Sequence, residues 1–153
     1  MINKNELTDD LPIQSASIYF SFILKQVLAN LGSKLWLKWP NDFYVEEKKI
    51  GGTITTLKND LLLCGIGLNL IEVSKEFGYL DIVVDINELL NDYFKKLTNQ
   101  PSWQDILKEY VIEFKRSEKF HVTLQNKKVS LKDATLNSDG SIQINDKKVF
   151  SLR

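Results

Sequence analysis

Five consecutive residues, Lys38-Trp39-Pro40-Asn41-Asp42, put a cation, an aromatic plane, a rigid turn, an amide and a carboxylate at the end of an apolar segment. Lys49 follows, then Gly51-Gly52, and further on Gly65-Ile66-Gly67-Leu68-Asn69. This inventory suits a ligand that carries both a phosphate and a ring. Adjacent glycines weaken a strand and mark a bulge or the close approach of another group. Strict alternation puts Lys49, Gly51, Thr53 and Thr55 on one strand face and Ile50, Gly52 and Ile54 on the other. A lysine beside side-chain-free backbone makes a flat surface with a positive edge. Gly65 and Gly67 clear one face of their own strand, and Asn69 stands at its end to hydrogen-bond a ligand.

Each feature also has a plainer explanation. Lys49 next to Lys48 reads equally as a solvated lysine near a hairpin tip. Gly65 and Gly67 also suit packing against a crossing helix. Asn41-Asp42 after Pro40 is good turn chemistry, while Asp42 alternatively binds a hydroxyl or a Mg²⁺ ion bridging phosphates. Tryptophans are more often core than stacking platforms. The glycine pair is no dinucleotide fingerprint, because the third glycine and the following helix are missing.

The elements that must position these residues follow from periodicity. Residues 1–11 read as a polar lead-in. Pro12 opens a helix, and Ala16, Tyr19, Phe20, Ile23, Val27 and Leu31 recur at helical spacing before Gly32. Its broad apolar face calls for a sheet. Leu35 to Trp39, Phe43 to Val45, Lys49 to Leu57 and Leu61 to Leu68 read as four strands in an antiparallel meander, the last apolar throughout and so central and buried. Asp85 to Glu88 and Ser102 to Asp105 have the form of helix starts, with helices running to about Leu97 and Lys115. After Phe120, short strands alternate with turns at Gln125-Asn126-Lys127, Asn137 to Gly140 and Asn145-Asp146. They suit a small β-barrel or sheet without an independent core.

Composition narrows the function classes. The 153 residues carry 20 Lys+Arg against 20 Asp+Glu, so a general electrostatic grip on nucleic acid is disfavoured. Cys64 and His121 are the only residues of their kinds, which leaves no disulfide framework, cysteine zinc site or histidine triad within one chain. Cys64 reads as core, and His121 as structural. Apolar runs are too short to span a bilayer, and the polar N-terminus carries no signal-peptide pattern. A cytoplasmic setting without membrane or nucleic-acid partners is expected.

Taken together, Lys38-Trp39-Pro40-Asn41-Asp42, Lys49, Gly51-Gly52 and Gly65-Ile66-Gly67-Leu68-Asn69 resemble the biotin protein ligases, the biotin–[acetyl-CoA-carboxylase] ligases. The resemblance covers nearly the whole chain. It implies an α+β fold: a mixed, mainly antiparallel sheet with flanking helices, related to class II aminoacyl-tRNA synthetases and lipoate ligases. It divides the chain into a partial catalytic domain, residues 1–117, and a small SH3-like β module, residues 118–153. The implied reaction joins biotin and ATP to biotinyl-5′-AMP, with Mg²⁺, and passes biotin to a lysine of the carrier domain of acetyl-CoA carboxylase. Lys49 matches the family's catalytic lysine. Lys38, Trp39, Asn41, Asp42, Gly51, Gly52, Thr53, Gly65, Gly67 and Asn69 match its biotin- and adenylate-binding positions. A homodimer is a further expectation. The family's upstream arginine-glycine loop, its preceding strand and its biotin-ring turn have no counterpart here. Thr53 and Thr56 stand where the family often has Ile and Glu. A shortened form with impaired activity is therefore expected. The competing expectations are a lipoate or octanoate ligase and a non-catalytic remnant.

Overall fold

Helix α1 (Ala16–Asn30) sits at the centre of the molecule, and every residue from Ala16 to Leu24 is buried. In this computed structural model, which describes residues 1–72, 74–124 and 126–150, α1 begins one short 3₁₀ turn later than Pro12 suggests. Its two buried serines are small enough to let neighbours approach. Ser21 returns its hydroxyl to the Ser17 carbonyl at 2.6 Å, so it carries no unsatisfied donor into the core. Gly32, at φ +98°, ends the helix as expected.

One face of a five-stranded sheet packs on α1, with strand order β1-β5-β4-β3-β2. The strands are β1 (Ile2–Asn3), β2 (Trp36–Lys38), β3 (Asp42–Val45), β4 (Lys48–Lys58) and β5 (Leu61–Leu68), and every pairing is antiparallel. The β2–β5 meander is the one expected. Two details differ. The supposed lead-in contributes β1, which pairs Ile2 with Leu62 and Asn3 with Leu61. Two residues carry too little pattern to be read as a strand. Nor is β5 central and buried: β1 covers only its first two residues, and Leu61 and Leu63 are 42% and 44% exposed. An unbroken apolar run fits a doubly buried strand, but it fits equally a strand that buries one face and leaves the other open.

Helices α2 (Ile86–Thr98) and α3 (Trp103–Ser117) pack on α1. Asp85 caps α2 by accepting from the amides of Asn87 and Glu88, and Ser102 caps α3 by accepting from Asp105. The C-terminal strands form two small sheets. One pairs β6 (His121–Leu124) with β7 (Lys127–Ser130), and the other orders β8 (Thr135–Leu136), β9 (Ile142–Ile144) and β10 (Lys147–Val149) as β10-β9-β8. Among the described residues these sheets do not close into a barrel. Of the turn between β6 and β7, Gln125 lies outside the described residues, and Asn126 takes φ +62°. Val122, Leu131, Ala134, Ile142 and Ile144 belong to the same core cluster as Phe20, Trp39 and Trp103. The C-terminal sheets therefore share the main core. Among the described residues no helix is long and apolar enough to cross a membrane.

Candidate functional site

Strand register assembles the site. Lys38 lies opposite Asp42, Asp42 opposite Gly52, and Gly52 opposite Gly67. Residues directly opposite in antiparallel strands share a face. The four residues therefore form one row across β2, β3, β4 and β5, on the face turned away from α1. With strands about 4.8 Å apart, the row is about 14 Å long.

A β-bulge sets the phase. Tyr44 pairs with Lys49 and Phe43 with Gly51, so Ile50 is the extra residue. It drops into the core, fully buried, and Lys49 emerges on the face of the row at 41% side-chain exposure. The bulge also reverses the expected alternation. Thr53 and Thr55 do not share the face of Lys49. Thr53 is 1% exposed beneath the sheet, where its Oγ1 meets Ser21 Oγ of α1 at 2.8 Å.

Asp42 is the centre of charge. Lys49 Nζ donates to its Oδ1 at 2.6 Å, and Lys38 Nζ lies 3.6 Å from its Oδ2. Lys38 is buried, with its ammonium 5.6 Å from the centre of the Tyr44 ring. Burial pushes the Lys38 ammonium below the usual lysine range; Asp42 opposes that shift, and Lys49 adds to it. Two ammonium groups and one carboxylate leave a net positive charge beside bare backbone, which suits an anionic ligand.

The four glycines do different work. A Cβ added to Gly65 or Gly67 would meet nothing within 4 Å, so these two are open surface. At Gly52 it would lie 3.2 Å from Asp42 Oδ1, so this glycine makes room for the carboxylate. At Gly51 it would overlap the carbonyl of Gly67 on the next strand. Gly51 thus lets β4 and β5 close up and is not ligand surface.

The asparagines pin the edges. Asn41 Nδ2 donates to the Thr53 carbonyl, and Thr53 N returns a bond to the Asn41 carbonyl at 3.0 Å. Asn69 N donates to Ile50 O at 2.7 Å, and Asn69 Nδ2 donates to Gly78 O at 3.1 Å. Gly78 N in turn donates to Lys49 O at 2.9 Å. Gly78 escaped the sequence reading. A Cβ there would sit 2.8 Å from Lys48 Cβ, a constraint visible only once the loop is seen to cross β4.

Trp39 is 1% exposed and belongs to the core, so its ring is no platform for a ligand. Its indole donates to Gly140 O at 3.0 Å, and its backbone amide donates to Ser117 Oγ at 2.9 Å. The Trp39–Pro40 peptide is cis. The aromatic surface on the face of the row is Tyr44, packed 5.3 Å from Trp36 and 5.4 Å from Phe120, ring centre to ring centre.

The fold has counterparts among known proteins. The model of the Biotin/lipoate A/B protein ligase family matches residues 2–69. The biotin acetyl coenzyme A carboxylase synthetase of Helicobacter pylori, solved with bound biotinylated ATP, is 39% identical with a TM-score of 0.91, over 97% of this chain and 71% of that one. The chain belongs to the biotin protein ligase family. As a fold, this ligase also resembles the biotin protein ligase of Aquifex aeolicus in complex with biotin and ATP (19% identity, TM-score 0.71, 99% of this chain and 72% of that one). The Leishmania major biotin protein ligase in complex with biotinyl-5-AMP is 18% identical with a TM-score of 0.65, over 99% of this chain and 75% of that one. No match was found among curated protein sequences.

The family is one of enzymes, and the row offers a positive surface beside bare backbone. It does not supply a protein cage for Mg²⁺. Asp42 is already shared by two ammonium groups, and among the described residues no cluster of three His, Cys, Asp or Glu could hold a metal.

Proposed function

We propose that this ligase holds biotin and ATP along the Lys38–Asp42–Gly52–Gly67 row, forms biotinyl-5′-AMP, and passes the biotinyl group to a lysine of the carrier domain of acetyl-CoA carboxylase. The observation that carries this reading is the Lys49 ammonium, 2.6 Å from Asp42 on the same face as the open Gly65–Gly67 surface. In the first step the biotin carboxylate attacks the α-phosphorus of ATP, an acyl–phosphate bond forms, and pyrophosphate leaves. Two anions must meet, so the barrier is largely electrostatic. Lys49 and Lys38 offset that repulsion, and the glycine surface lets the ligand lie against backbone. In the second step the carrier amine attacks the acyl carbon, loses a proton and releases AMP. Lys49 needs no covalent role in either step.

Of the residues matched to the family's binding positions, Lys38, Asp42, Lys49, Gly52, Gly65 and Gly67 are the ones we place at the ligand. Asn41, Asn69 and Gly51 hold the surface in shape, and Thr53 and Trp39 support it from the core. The Asn137–Gly140 turn buttresses Trp39 through the Gly140 carbonyl. The chain spans 71% of the H. pylori relative, and we infer that it turns over weakly by itself. A carrier-biotinylation assay read by mass shift tests this, with slow or undetectable labelling expected and robust turnover contradicting it. Calorimetry with biotin and lipoate tests the substrate class: biotin binding is expected, and a preference for lipoate would overturn it.

A further inference from the structure

The face that carries the row also carries an aromatic group beside it. Trp36 lies opposite Tyr44, and Tyr44 opposite Lys49. Trp36 and Lys38 are two apart on β2, and Asp42 and Tyr44 two apart on β3, so all four share the face. Tyr44 is then the diagonal neighbour of Lys38, within reach of a long side chain. Three rings meet there. Between ring centres, Trp36 is 5.3 Å from Tyr44 and 5.3 Å from Phe120, and Tyr44 is 5.4 Å from Phe120. Both partners of Tyr44 are anchored. The Trp36 indole donates to Glu46 O at 2.8 Å, and the Arg116 guanidinium stands 4.6 Å from the centre of the Trp36 ring. Phe120 is tied by its backbone, donating to Ser117 O at 2.9 Å and accepting from Leu131 N at 3.0 Å. The Tyr44 ring is wedged between two fixed rings.

Lys38 needs such a neighbour. Its side chain is only 9% exposed, and its carboxylate partner Asp42 stands at 3.6 Å, beyond a close hydrogen bond. A buried ammonium without full compensation is costly. Lys49, far more exposed, closes on the same carboxylate at 2.6 Å. The Tyr44 ring, with its centre 5.6 Å from Lys38 Nζ, supplies the remaining attraction. We infer that Tyr44 is a positioning residue of this ligase: its ring holds the Lys38 ammonium off Asp42, so that two cations rather than one meet an anionic ligand, and Phe120 sets the ring from the segment that follows α3. The inference rests on the proposed function, since it takes Lys38 to be at the ligand. Without the ring, Lys38 swings onto Asp42, the carboxylate is shared by two close ammonium groups, and less positive charge is left for an acyl phosphate.

The test pairs two measurements on the full chain. The first is the NMR shift of the Lys38 ε-methylene protons, which the face of an aromatic ring moves upfield. The second is calorimetric titration with a non-hydrolysable biotinyl-5′-AMP analogue. Tyr44→Leu is expected to abolish the upfield shift and to weaken binding about threefold to tenfold, the size of one cation–π contact. Tyr44→Phe keeps the ring and is expected to keep the shift and to bind within about twofold of wild type. In a Lys38→Met background, Tyr44→Leu is expected to add less than about twofold, because it acts through the ammonium already removed. Phe120→Leu, outside the sheet, is expected to change both readouts in the same sense by a smaller amount, which keeps the test decisive should Tyr44→Leu fold poorly. A Lys38 shift unmoved in both Tyr44→Leu and Phe120→Leu overturns the inference. So does equal weakening by Tyr44→Leu and Tyr44→Phe, or a full Tyr44→Leu loss in the Lys38→Met background, because Tyr44 then does not act through Lys38. A wild-type chain that binds no analogue sinks the proposed function by itself, and the Lys38 shift still confirms or overturns the hold of Tyr44 on the ammonium.

Discussion

Lys49 and the glycines separate an open, charged surface from a packed one. The Lys49–Asp42 pair is partly exposed, so Lys49→Ala is expected to move folding stability by no more than about 1 kcal/mol in a thermal melt. Its effect belongs in ligand affinity. The glycines make a sharper contrast. Gly51→Ala drives a methyl into the Gly67 carbonyl and is expected to cost about 2 kcal/mol or more, seen as a lower denaturant midpoint. Gly67→Ala meets open space and is expected to fold with nearly wild-type stability while binding biotin at least about tenfold more weakly, about 1.4 kcal/mol, by calorimetry. The glycine pattern was legible in the sequence as a surface to be kept clear. Which glycines open onto the surface and which face a neighbouring strand was not, because the bulge at Ile50 breaks the period-2 rule on which that reading depends.

Between elements, the decisive contact is the clamp on the turn from Trp39 to Asp42. Helix α3 holds it through Ser117 Oγ and through Tyr110 OH, which reaches Pro40 O at 3.4 Å, and the Asn137–Gly140 turn holds it through the Trp39 indole. Trp39→Phe leaves the Gly140 carbonyl without that donor in a buried site. A loss of about 1–3 kcal/mol is expected by chemical denaturation. Asp85→Ala removes the cap of α2 and is expected to cost about 1 kcal/mol by the same measurement. Helices and meander strands were legible because caps, turn residues and 3.6- or 2-residue periods are local signals. The Asp85 and Ser102 caps act as their residue types suggest. The clamp was not legible: Trp39, Ser117 and Gly140 are far apart in sequence, and nothing local in any of them points to the others.

At the scale of the molecule, carboxylates join distant segments and make stability depend on pH. Burial raises Asp10 somewhat, but bonds from Trp103 N, Thr8 Oγ1 and Gln104 N outweigh it and hold the carboxyl below its ordinary 3.8. Asp81 and Asp139 are lowered in the same way, by Ser33 and Lys34 and by Lys148 and Ser141 against the opposing pull of burial. A group with a depressed folded pKa stabilises the fold above its unfolded value and loses that contribution as pH falls through the folded one. Stability is thus expected to hold above about pH 5 and to fall progressively below about pH 4, with a shallower fall in the Asp10→Asn variant. The overall α+β class was legible because alternating helix and strand patterns define it. The free edge of β5 was not, since an apolar strand has the same composition at the edge as in the centre. The account rests on one surface, and the measurement that reaches it most directly is calorimetric titration of a non-hydrolysable biotinyl-5′-AMP analogue into the wild-type chain and into Lys49→Ala. Binding by the wild type, weakened at least about tenfold in the variant while both melt alike, is the predicted result. Equal affinity in the two chains would contradict it.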